Sequence, residues 1–306
     1  MSSLHVVTGA FGYTGKYITR ELLARGGRVR TLTRPHPDRP NPFGEEIEVA
    51  PLDFANFDEL VRNLTGATTL YNTYWVRFPV GQATFDSAVE NTKTLIRAAK
   101  QAGVRRVVQI SVSNPSLDSP YAYFRGKARL EKVLAESGLS LSYAIIRPTV
   151  IFGPEDILIN NIAWLLRRFP VFAIPGSGAY RIQPVSAEDN ATLAVDAGER
   201  EDNLVLDAAG PEIHTYEELV RLIARAVGSH ARIVHLPPGL VWALAWFLGK
   251  IVNDVLLTRE ELGALVEDLL VSHQPPTGKS RFSDWLQRNA SAVGAQYASE
   301  LGRHFR

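Results

Sequence analysis

Three glycines near the start of the chain limit most strongly what it can fold into. Gly9, Gly12 and Gly15 follow the apolar run 4–7 and precede an amphipathic run, 17–23, at helical spacing. A buried strand, a glycine-rich turn and a helix form the corner that binds a dinucleotide in doubly wound α/β folds. Glycine lets backbone amides approach a pyrophosphate, and the helix N-terminus adds the positive end of its dipole. The alternative is a turn that serves packing only.

The pattern that follows alternates between strands and helices. Strands are expected at 4–7, 28–33, 47–50, 68–72, 104–112 and 141–147, with intervening helices that include 57–63, 85–101 and 123–136. This order predicts an α/β fold with a doubly wound parallel Rossmann sheet and a smaller, mostly helical C-terminal substrate domain. We expect the Rossmann domain at 1–152, with 181–208 returning to it, and the substrate domain at 153–180 and 209–306. Within the latter, 157–169 is an expected helix and 172–178 an expected loop.

Composition excludes several classes of function. The 306 residues contain no cysteine, which rules out disulfides, thiol catalysis and cysteine-ligated metals. The seven histidines show no metal-ligand spacing, so no metal site is expected. A net charge of +1 gives no bulk electrostatic case for binding nucleic acid, and a regulator of RNA or DNA has little support. The N-terminus shows no signal peptide, so the expected location is the cytoplasm.

The end of the second strand indicates which cofactor the chain prefers. Arg34 stands where a nucleotide-binding unit faces the adenosine ribose, and no acidic residue lies between Arg28 and Pro37. An arginine there pairs with the 2′-phosphate of NADP, whereas an acidic residue would bind the 2′-hydroxyl of NAD. Arg34, helped by His36 or Arg39, therefore favours NADP(H) over NAD(H). The alternative is a solvated arginine in a proline-rich loop.

A tyrosine and a lysine four residues apart form the candidate catalytic pair. Tyr123 and Lys127 begin the helix that follows the fifth strand, and their spacing places them on one helix face. A nearby ammonium favours the phenolate, so Tyr123 could donate or accept a proton as a carbonyl is reduced or an alcohol oxidised. The alternative is that Tyr123 is only an aromatic residue at a helix start.

Four segments resemble the extended and atypical short-chain dehydrogenases/reductases. They are TGAFGYTG (8–15), the Tyr123/Lys127 pair, RPTVIFGP (147–154) and RIQPVSAED (181–189). Within that superfamily the chain is most similar to the branch that includes the nucleotide-binding accessory subunit of respiratory complex I. The aromatic run YNTYWVRF (71–78) departs from the small-residue run usual in the family, and it could shape a substrate pocket or partly fill it.

The resemblance implies roles for further residues. Ser113, or else Ser111, would orient the substrate oxygen, although both could simply be turn residues. Asp53 would touch the adenine, and the alternative is an N-cap for helix 57–63. Lys127 would also hold the nicotinamide ribose. The candidate cofactor-binding residues are Gly9, Phe11, Gly12, Tyr13, Thr14, Gly15, Arg34, Asp53, Asn72, Lys127, Pro148, Thr149 and Val150. The resemblance also implies a homodimer formed through the helices that begin at Phe85 and Tyr123.

The most apolar run lies at 237–257. It is too short to span a bilayer, and one interpretation is a helix buried in the small domain. The other is a surface, 239–257, that contacts a membrane or a protein complex through Trp242 and Trp246. Two functions follow: an NADP(H)-dependent oxidoreductase, epimerase or dehydratase acting on a small carbonyl, alcohol or sugar-like molecule, or a non-catalytic NADP-binding accessory protein peripheral to a membrane.

Overall fold

Two compact units make up the computed structural model, which describes residues 3–34, 41–136, 138 and 141–304. The first unit comprises Met1–Pro148 and Asn190–Asp207, and the second comprises Thr149–Asp189 and Ala208–Arg306. The sequence predicts that the Rossmann domain ends at 152 and that the chain returns to it at 181. In the structure the first unit ends at Pro148, and the returning segment begins at Asn190. The reason lies in segment 150–152, which pairs with 184–186 inside the second unit.

Thirteen strands and eleven helices are seen in the described residues. The strands are β1 (Leu4–Thr8), β2 (Arg28–Thr33), β3 (Ile47–Pro51), β4 (Ala67–Asn72), β5 (Arg106–Ile110), β6 (Ser142–Pro148), β7 (Val150–Phe152), β8 (Val171–Pro175), β9 (Arg181–Ile182), β10 (Pro184–Ser186), β11 (Leu204–Ala208), β12 (His214–Thr215) and β13 (Arg232–Leu236). The helices are α1 (Tyr13–Ala24), α2 (Phe57–Leu64), α3 (Phe85–Gln101), α4 (Ala122–Ala135), α5 (Leu158–Arg168), α6 (Ala187–Gly198), α7 (Tyr216–Ala226), α8 (Pro238–Val252), α9 (Arg259–Val266), α10 (Phe282–Arg288) and α11 (Glu300–His304).

The first unit is built on a seven-stranded sheet flanked by helices. Its order is β11-β6-β5-β4-β1-β2-β3, and the six strands from β6 to β3 run parallel. The chain starts at β1, builds outward to β3 and then returns to β4 on the other side of β1. This reversal makes the carboxyl ends of β1 and β4 the topological switch point, where doubly wound sheets bind their ligands. The predicted α/β Rossmann fold is confirmed.

The sheet is held to its helices by side chains that the apolar periodicity had indicated. One core cluster joins strand residues such as Val6, Leu70 and Val107 to Leu60 of α2 and Leu95 of α3. These five side chains are fully buried. Each fully buried aliphatic side chain contributes about 1.5–3 kcal/mol relative to its exposed state, so the cluster fixes the helices against the strands.

Short strand pairs and helices form the second unit. β7 pairs with β10 and β8 with β13, both parallel, while β9 pairs with β12 antiparallel. The loop expected at 172–178 is therefore wrong in its first part, because 171–175 forms β8. Its partner β13 lies about sixty residues further along the chain, too far for local sequence patterns to reveal the pairing. The core of the second unit contains Phe152, Phe282 and Trp285, whose rings contact one another.

Helix starts in the second unit follow local rules. Thr215 and Thr258 each accept a hydrogen bond from the amide three residues on, while Glu218 and Glu261 bond back to the cap amides. These are reciprocal capping boxes, as the spacing predicts. None of the helices in the described ranges combines the length and apolarity that a transmembrane segment requires.

Candidate functional site

The glycine corner connects β1 to α1 through a very tight turn. Gly9 has φ of +67°, a left-handed conformation that favours glycine, and its carbonyl accepts the amide of Gly12 at 2.9 Å. A Cβ on Gly15 would lie 2.3 Å from the Gly9 carbonyl oxygen, closer than any side chain can come. The start of α1 therefore packs directly against the backbone of the turn, and only glycine fits at position 15.

The first turn of α1 is suited to an anion. Its N-cap, Gly12, provides no side-chain hydrogen bond, and the first turn contains no acidic residue. By contrast, Asn56 caps α2 and Thr84 caps α3 with side-chain oxygens. Phe11, Tyr13 and Thr14 are partly buried around this turn. The cap residue offers no side-chain oxygen to the backbone amides at the start of α1. Such a helix start fits the pyrophosphate of a dinucleotide.

A buried polar network ties together the carboxyl ends of three strands. The Thr8 hydroxyl donates to Asn72 Oδ1 at 2.9 Å, and Asn72 Nδ2 donates to Gln109 Oε1 at 2.8 Å. The amides of Thr73 and Tyr74 in turn donate to Thr8 Oγ1, at 2.8 and 3.1 Å. Asn72, a candidate cofactor residue, thus lies at the switch point with both ends of its amide bonded within the protein.

Arg34 lies directly after β2 and is exposed. The neighbouring arginines of that strand, Arg28 and Arg30, both pair with Glu48, whereas Arg34 forms no ion pair with any residue in the described ranges. The suggested helpers His36 and Arg39 lie outside the described residues.

Asp53 is exposed, and its carboxylate accepts the amide of Ala55 at 2.9 Å. The alternative interpretation of Asp53, an N-cap for α2, is wrong. Asn56 caps that helix by accepting the amide of Glu59 at 3.2 Å. Asp53 instead closes a short turn before the cap, which leaves its second oxygen open to solvent.

The lysine of the pair on α4 is buried and strongly desolvated, whereas Tyr123 is half-buried. The Lys127 ammonium donates to the Ile110 carbonyl at 2.9 Å, and the Tyr123 ring centre lies 6.0 Å from Nζ. Lys127 is only 3% exposed. Burial lowers its pKa from the ordinary 10.5 to about 7, and the nearby Glu131 carboxylate only partly opposes this. A lysine of this kind gains and loses its proton near neutral pH.

An aromatic side chain from the segment after β4 covers this pair. The Trp75 ring centre lies 4.5 Å from Lys127 Nζ and meets Tyr123 edge-on at 5.8 Å. Trp75 also stacks on Phe85 of α3, and a Cβ on Gly126 would lie 2.7 Å from the indole. Within the aromatic run, Tyr71 and Phe78 are buried and Trp75 is half-buried. The buried indole Nε1 has no hydrogen-bond partner within the described part of the chain.

The two candidate serines lie after β5 in different surroundings. The Ser111 hydroxyl donates to Glu131 Oε1 at 2.5 Å, and the same carboxylate holds Arg147 in a bidentate pair. Ser113 is fully buried, and its backbone amide donates to the Pro148 carbonyl at 2.9 Å. The Ser111 hydroxyl is thus bonded to the carboxylate of the Glu131–Arg147 pair.

The candidate cofactor-binding residues 148–150 lie on both sides of the boundary between the two units. Pro148 ends β6 in the first unit, whereas Thr149 and Val150 belong to the second. The Thr149 amide donates to the Ala208 carbonyl at 3.0 Å, and its hydroxyl donates to the Gln183 carbonyl. In the described ranges no cluster of three metal-ligating side chains occurs.

Sequence reasoning did not identify Glu131 or the Ile110 carbonyl as parts of this site. Glu131 follows Lys127 at i+4, the spacing that places both on one helix face, so the sequence held a usable signal. The sequence held no signal for the Ile110 carbonyl, because any residue at the end of β5 would present the same backbone oxygen. Trp75 was recognised only as part of an unusual aromatic run.

Comparison with known proteins agrees with this geometry. Residues 9–156 match the family described as NAD(P)H-binding. The chain is 25% identical over 285 residues to NADH dehydrogenase [ubiquinone] 1 alpha subcomplex subunit 9, mitochondrial, of Arabidopsis thaliana, covering 87% of this chain and 70% of that protein. It is 28% identical over 243 residues to the ceramide reductase of Caulobacter vibrioides, covering 78% of this chain and 75% of that protein.

A solved structure extends the fold match to almost the whole chain. The NADPH-dependent quinone oxidoreductase QOR2 from Escherichia coli, complexed with NADPH, superposes with a TM-score of 0.72 at 21% identity. The match covers 94% of this chain and 98% of that one. Residues 9–156 thus match an NAD(P)H-binding family, and the solved structure shares the Rossmann-like α/β fold of this chain.

Proposed function

We propose that this protein is an NADP(H)-dependent oxidoreductase of the short-chain type, acting on a carbonyl, an alcohol or a sugar-like substrate. The observation that carries the proposal is the Tyr123–Lys127 pair beside the end of β5, whose lysine is buried. Burial of a lysine whose pKa is about 7 costs folding free energy, and ionisable groups with strongly shifted pKa values are concentrated at functional sites. The reductase relatives support the same class of reaction.

Different residues of the chain would bind different parts of the cofactor. The amides at the start of α1 would hold the pyrophosphate, and Arg34 would pair with the 2′-phosphate that distinguishes NADP from NAD. Lys127 would reach the nicotinamide ribose. The bound nicotinamide would supply or accept the hydride, which the protein itself cannot do.

Tyr123 would transfer the proton that accompanies the hydride. Its ring meets the stacked rings of Trp75 and Phe85 edge-on, each at 5.8 Å, so the hydroxyl has a defined direction. A charged Lys127 would favour the phenolate, and the fraction of charged lysine falls as the pH rises through about 7. Ser113 would orient the substrate oxygen. An epimerase or dehydratase would use the same residues.

The Tyr123→Phe variant tests this role. It removes the hydroxyl but keeps the ring and its three aromatic contacts, so folding and NADPH binding should be unchanged. We expect turnover of a panel of carbonyl substrates, followed by NADPH absorbance, to fall by about 10²–10⁴-fold. Tyr121→Phe, on the preceding loop, is the matched control. Equal turnover by wild type and Tyr123→Phe would refute the assignment.

A second function is favoured by one observation, the position of Trp75. Its ring lies over Lys127 and fills space beside the pair. A non-catalytic NADP-binding accessory or sensor protein, peripheral to a membrane-associated complex through 239–257, is compatible with such a covered pair. The likeness to a protein named as a subunit of NADH dehydrogenase supports this alternative.

One experiment separates the two functions. The enzyme proposal requires turnover with at least one substrate of the panel, whereas the accessory proposal requires NADPH binding with none. A Trp75→Leu variant sharpens the comparison, because removing the indole uncovers the pair while retaining an apolar side chain. Analytical ultracentrifugation of the same samples would test a homodimer formed through α3 and α4.

A further inference from the structure

A buried carboxylate lies one helical turn from the candidate catalytic lysine. Glu131 follows Lys127 by four residues on α4, which places both side chains on one face of the helix. Arg147 donates to both oxygens of this carboxylate, through Nε at 3.0 Å and through Nη2 at 2.5 Å. Glu131 is buried, so the bidentate pair holds a negative charge in the interior of the first unit.

The parallel register of β5 and β6 brings the two partners of Glu131 together. Ile110 pairs with Ile146, so the residues that follow them, Ser111 and Arg147, lie side by side. The Ser111 amide donates to the Ile146 carbonyl at 2.7 Å, and its hydroxyl donates to Glu131 Oε1 at 2.5 Å. Glu131 thus joins α4 to the ends of two neighbouring strands.

Lys127 and Glu131 contact consecutive residues at the end of one strand. The Lys127 ammonium donates to the Ile110 carbonyl at 2.9 Å, and the Glu131 carboxylate accepts the hydroxyl of the next residue, Ser111. One turn of the helix is therefore matched to one residue of the strand. These two contacts fix α4 against β5, and with it the place of Tyr123, which lies one turn before Lys127 on the same helix.

Glu131 also acts on Lys127 through its charge. Burial lowers the pKa of Lys127, and the Glu131 carboxylate opposes this effect. The Lys127 ammonium is bonded to a carbonyl and not to the carboxylate, so the charge acts through space. The rings over the ammonium, those of Trp75 and Tyr123, are uncharged at neutral pH. Glu131 is therefore the charged side chain that controls the proton on Lys127.

Arg147 keeps this carboxylate in its place. Its hydrogen bonds to Glu131 raise the pKa of the guanidinium, and Asp207 of β11 adds to the effect, so Arg147 stays charged while Lys127 titrates. A buried ion pair often stabilises a fold no more than apolar residues of the same volume. The stability of the fold therefore does not by itself account for a carboxylate at this position.

We propose that Glu131 is a positioning residue for the Tyr123–Lys127 pair, because it holds α4 against β5 and raises the charged fraction of Lys127 at neutral pH. The consequence for turnover rests on the proposed function, whereas the effect on Lys127 does not. About half of the lysine is charged at pH 7 in the wild type. Removing the carboxylate should leave about a tenth charged, so turnover at pH 7 should fall roughly fivefold.

A ¹³C NMR titration of the full chain, labelled at lysine Cε, tests this role without a substrate. The Lys127→Met variant identifies the signal among the seven lysines. We expect a midpoint near pH 7 in the wild type. Glu131→Gln keeps the size of the side chain and an oxygen for Ser111 but removes the charge, so the midpoint should fall by roughly one pH unit. Glu131→Asp retains the charge and should return the midpoint toward the wild-type value.

Two further variants support the comparison. Glu131→Gln/Arg147→Met removes the whole ion pair, which apolar residues can replace without loss of folding, and it should also lower the midpoint if the single variant does not fold. Glu136→Gln is the matched control. It removes a carboxylate that lies just beyond α4, 3.8 Å from Lys132 and with 65% of its side chain exposed, and it should leave the midpoint unchanged.

The sign of the change separates a charge effect from a loosened fold. A site that merely admits water would return Lys127 toward its ordinary pKa, so its midpoint would rise. An unchanged or raised midpoint in the variants that lack the Glu131 carboxylate would overturn the proposal. A lowered midpoint in a protein that turns over no carbonyl substrate would support the role of Glu131 and remove only the proposed enzyme function.

Discussion

Replacing Lys127 by methionine should change how stability depends on pH. In the folded protein the pKa of Lys127 is about 7, and in the unfolded chain it returns to about 10.5, which corresponds to roughly 5 kcal/mol between the two states. The lowered pKa is a penalty on folding that is fully present below pH 7, where both states are protonated. It is removed progressively as the pH rises toward 10.5, because only the unfolded chain then holds the proton.

The magnitude follows from this linkage. Between about pH 7.5 and about pH 9.5 the unfolded chain binds one proton more, so wild-type stability should rise by about 2.7 kcal/mol relative to Lys127→Met. The methionine retains the length of the side chain but carries no charge, so this term disappears. Urea unfolding followed by tryptophan fluorescence at both pH values measures the difference.

Lys132→Met provides the control for this experiment. Lys132 lies on the same helix with 60% of its side chain exposed, so its removal should leave the pH dependence unchanged. The reasoning is refuted if the stability of wild type and Lys127→Met changes in parallel across this range. That result would mean that Lys127 keeps an ordinary pKa despite its burial beneath Trp75.

Two further predictions concern the cofactor. Arg34→Ala should reduce the preference for NADPH over NADH by about tenfold, or 1.4 kcal/mol, in a fluorescence titration, and an unchanged preference would remove Arg34 from the phosphate site. Gly15→Ala places a Cβ 2.3 Å from a backbone oxygen of the corner, so NADPH binding should fall by roughly a hundredfold or more, or about 2.7 kcal/mol. Gly239→Ala, which meets no atom within 4 Å, is its control and should bind NADPH as the wild type does.

The sequence predicted the first unit closely because its elements are set by local patterns. Helix α3 occupies 85–101 as expected, since its apolar side recurs with helical periodicity and Thr84 caps it. Strands β2 and β4 also fall within one residue of their expected bounds. For each of these elements, the apolar periodicity and the residues that mark its start and end lie within one short segment of the sequence.

What the sequence did not reveal depends on partners distant along the chain. Trp75, Phe85 and Lys127 come from the segment after β4, from α3 and from α4, so no local pattern showed that the indole covers the lysine. Hydropathy identified α8 as apolar but not which side the rest of the chain covers. Asp53 and Asn56 are both good N-cap residues three positions apart, and composition alone did not separate the turn from the cap.

The side-chain network at the switch point has a consequence for the kinetics of ligand association. Thr8, Asn72 and Gln109 link β1, β4 and β5 through buried hydrogen bonds between their own side chains. The floor beneath the glycine corner is therefore preorganised, and a dinucleotide arriving there loses little free energy to ordering the protein. Cofactor association should be limited by diffusion, and its rate should depend little on temperature beyond the viscosity of water.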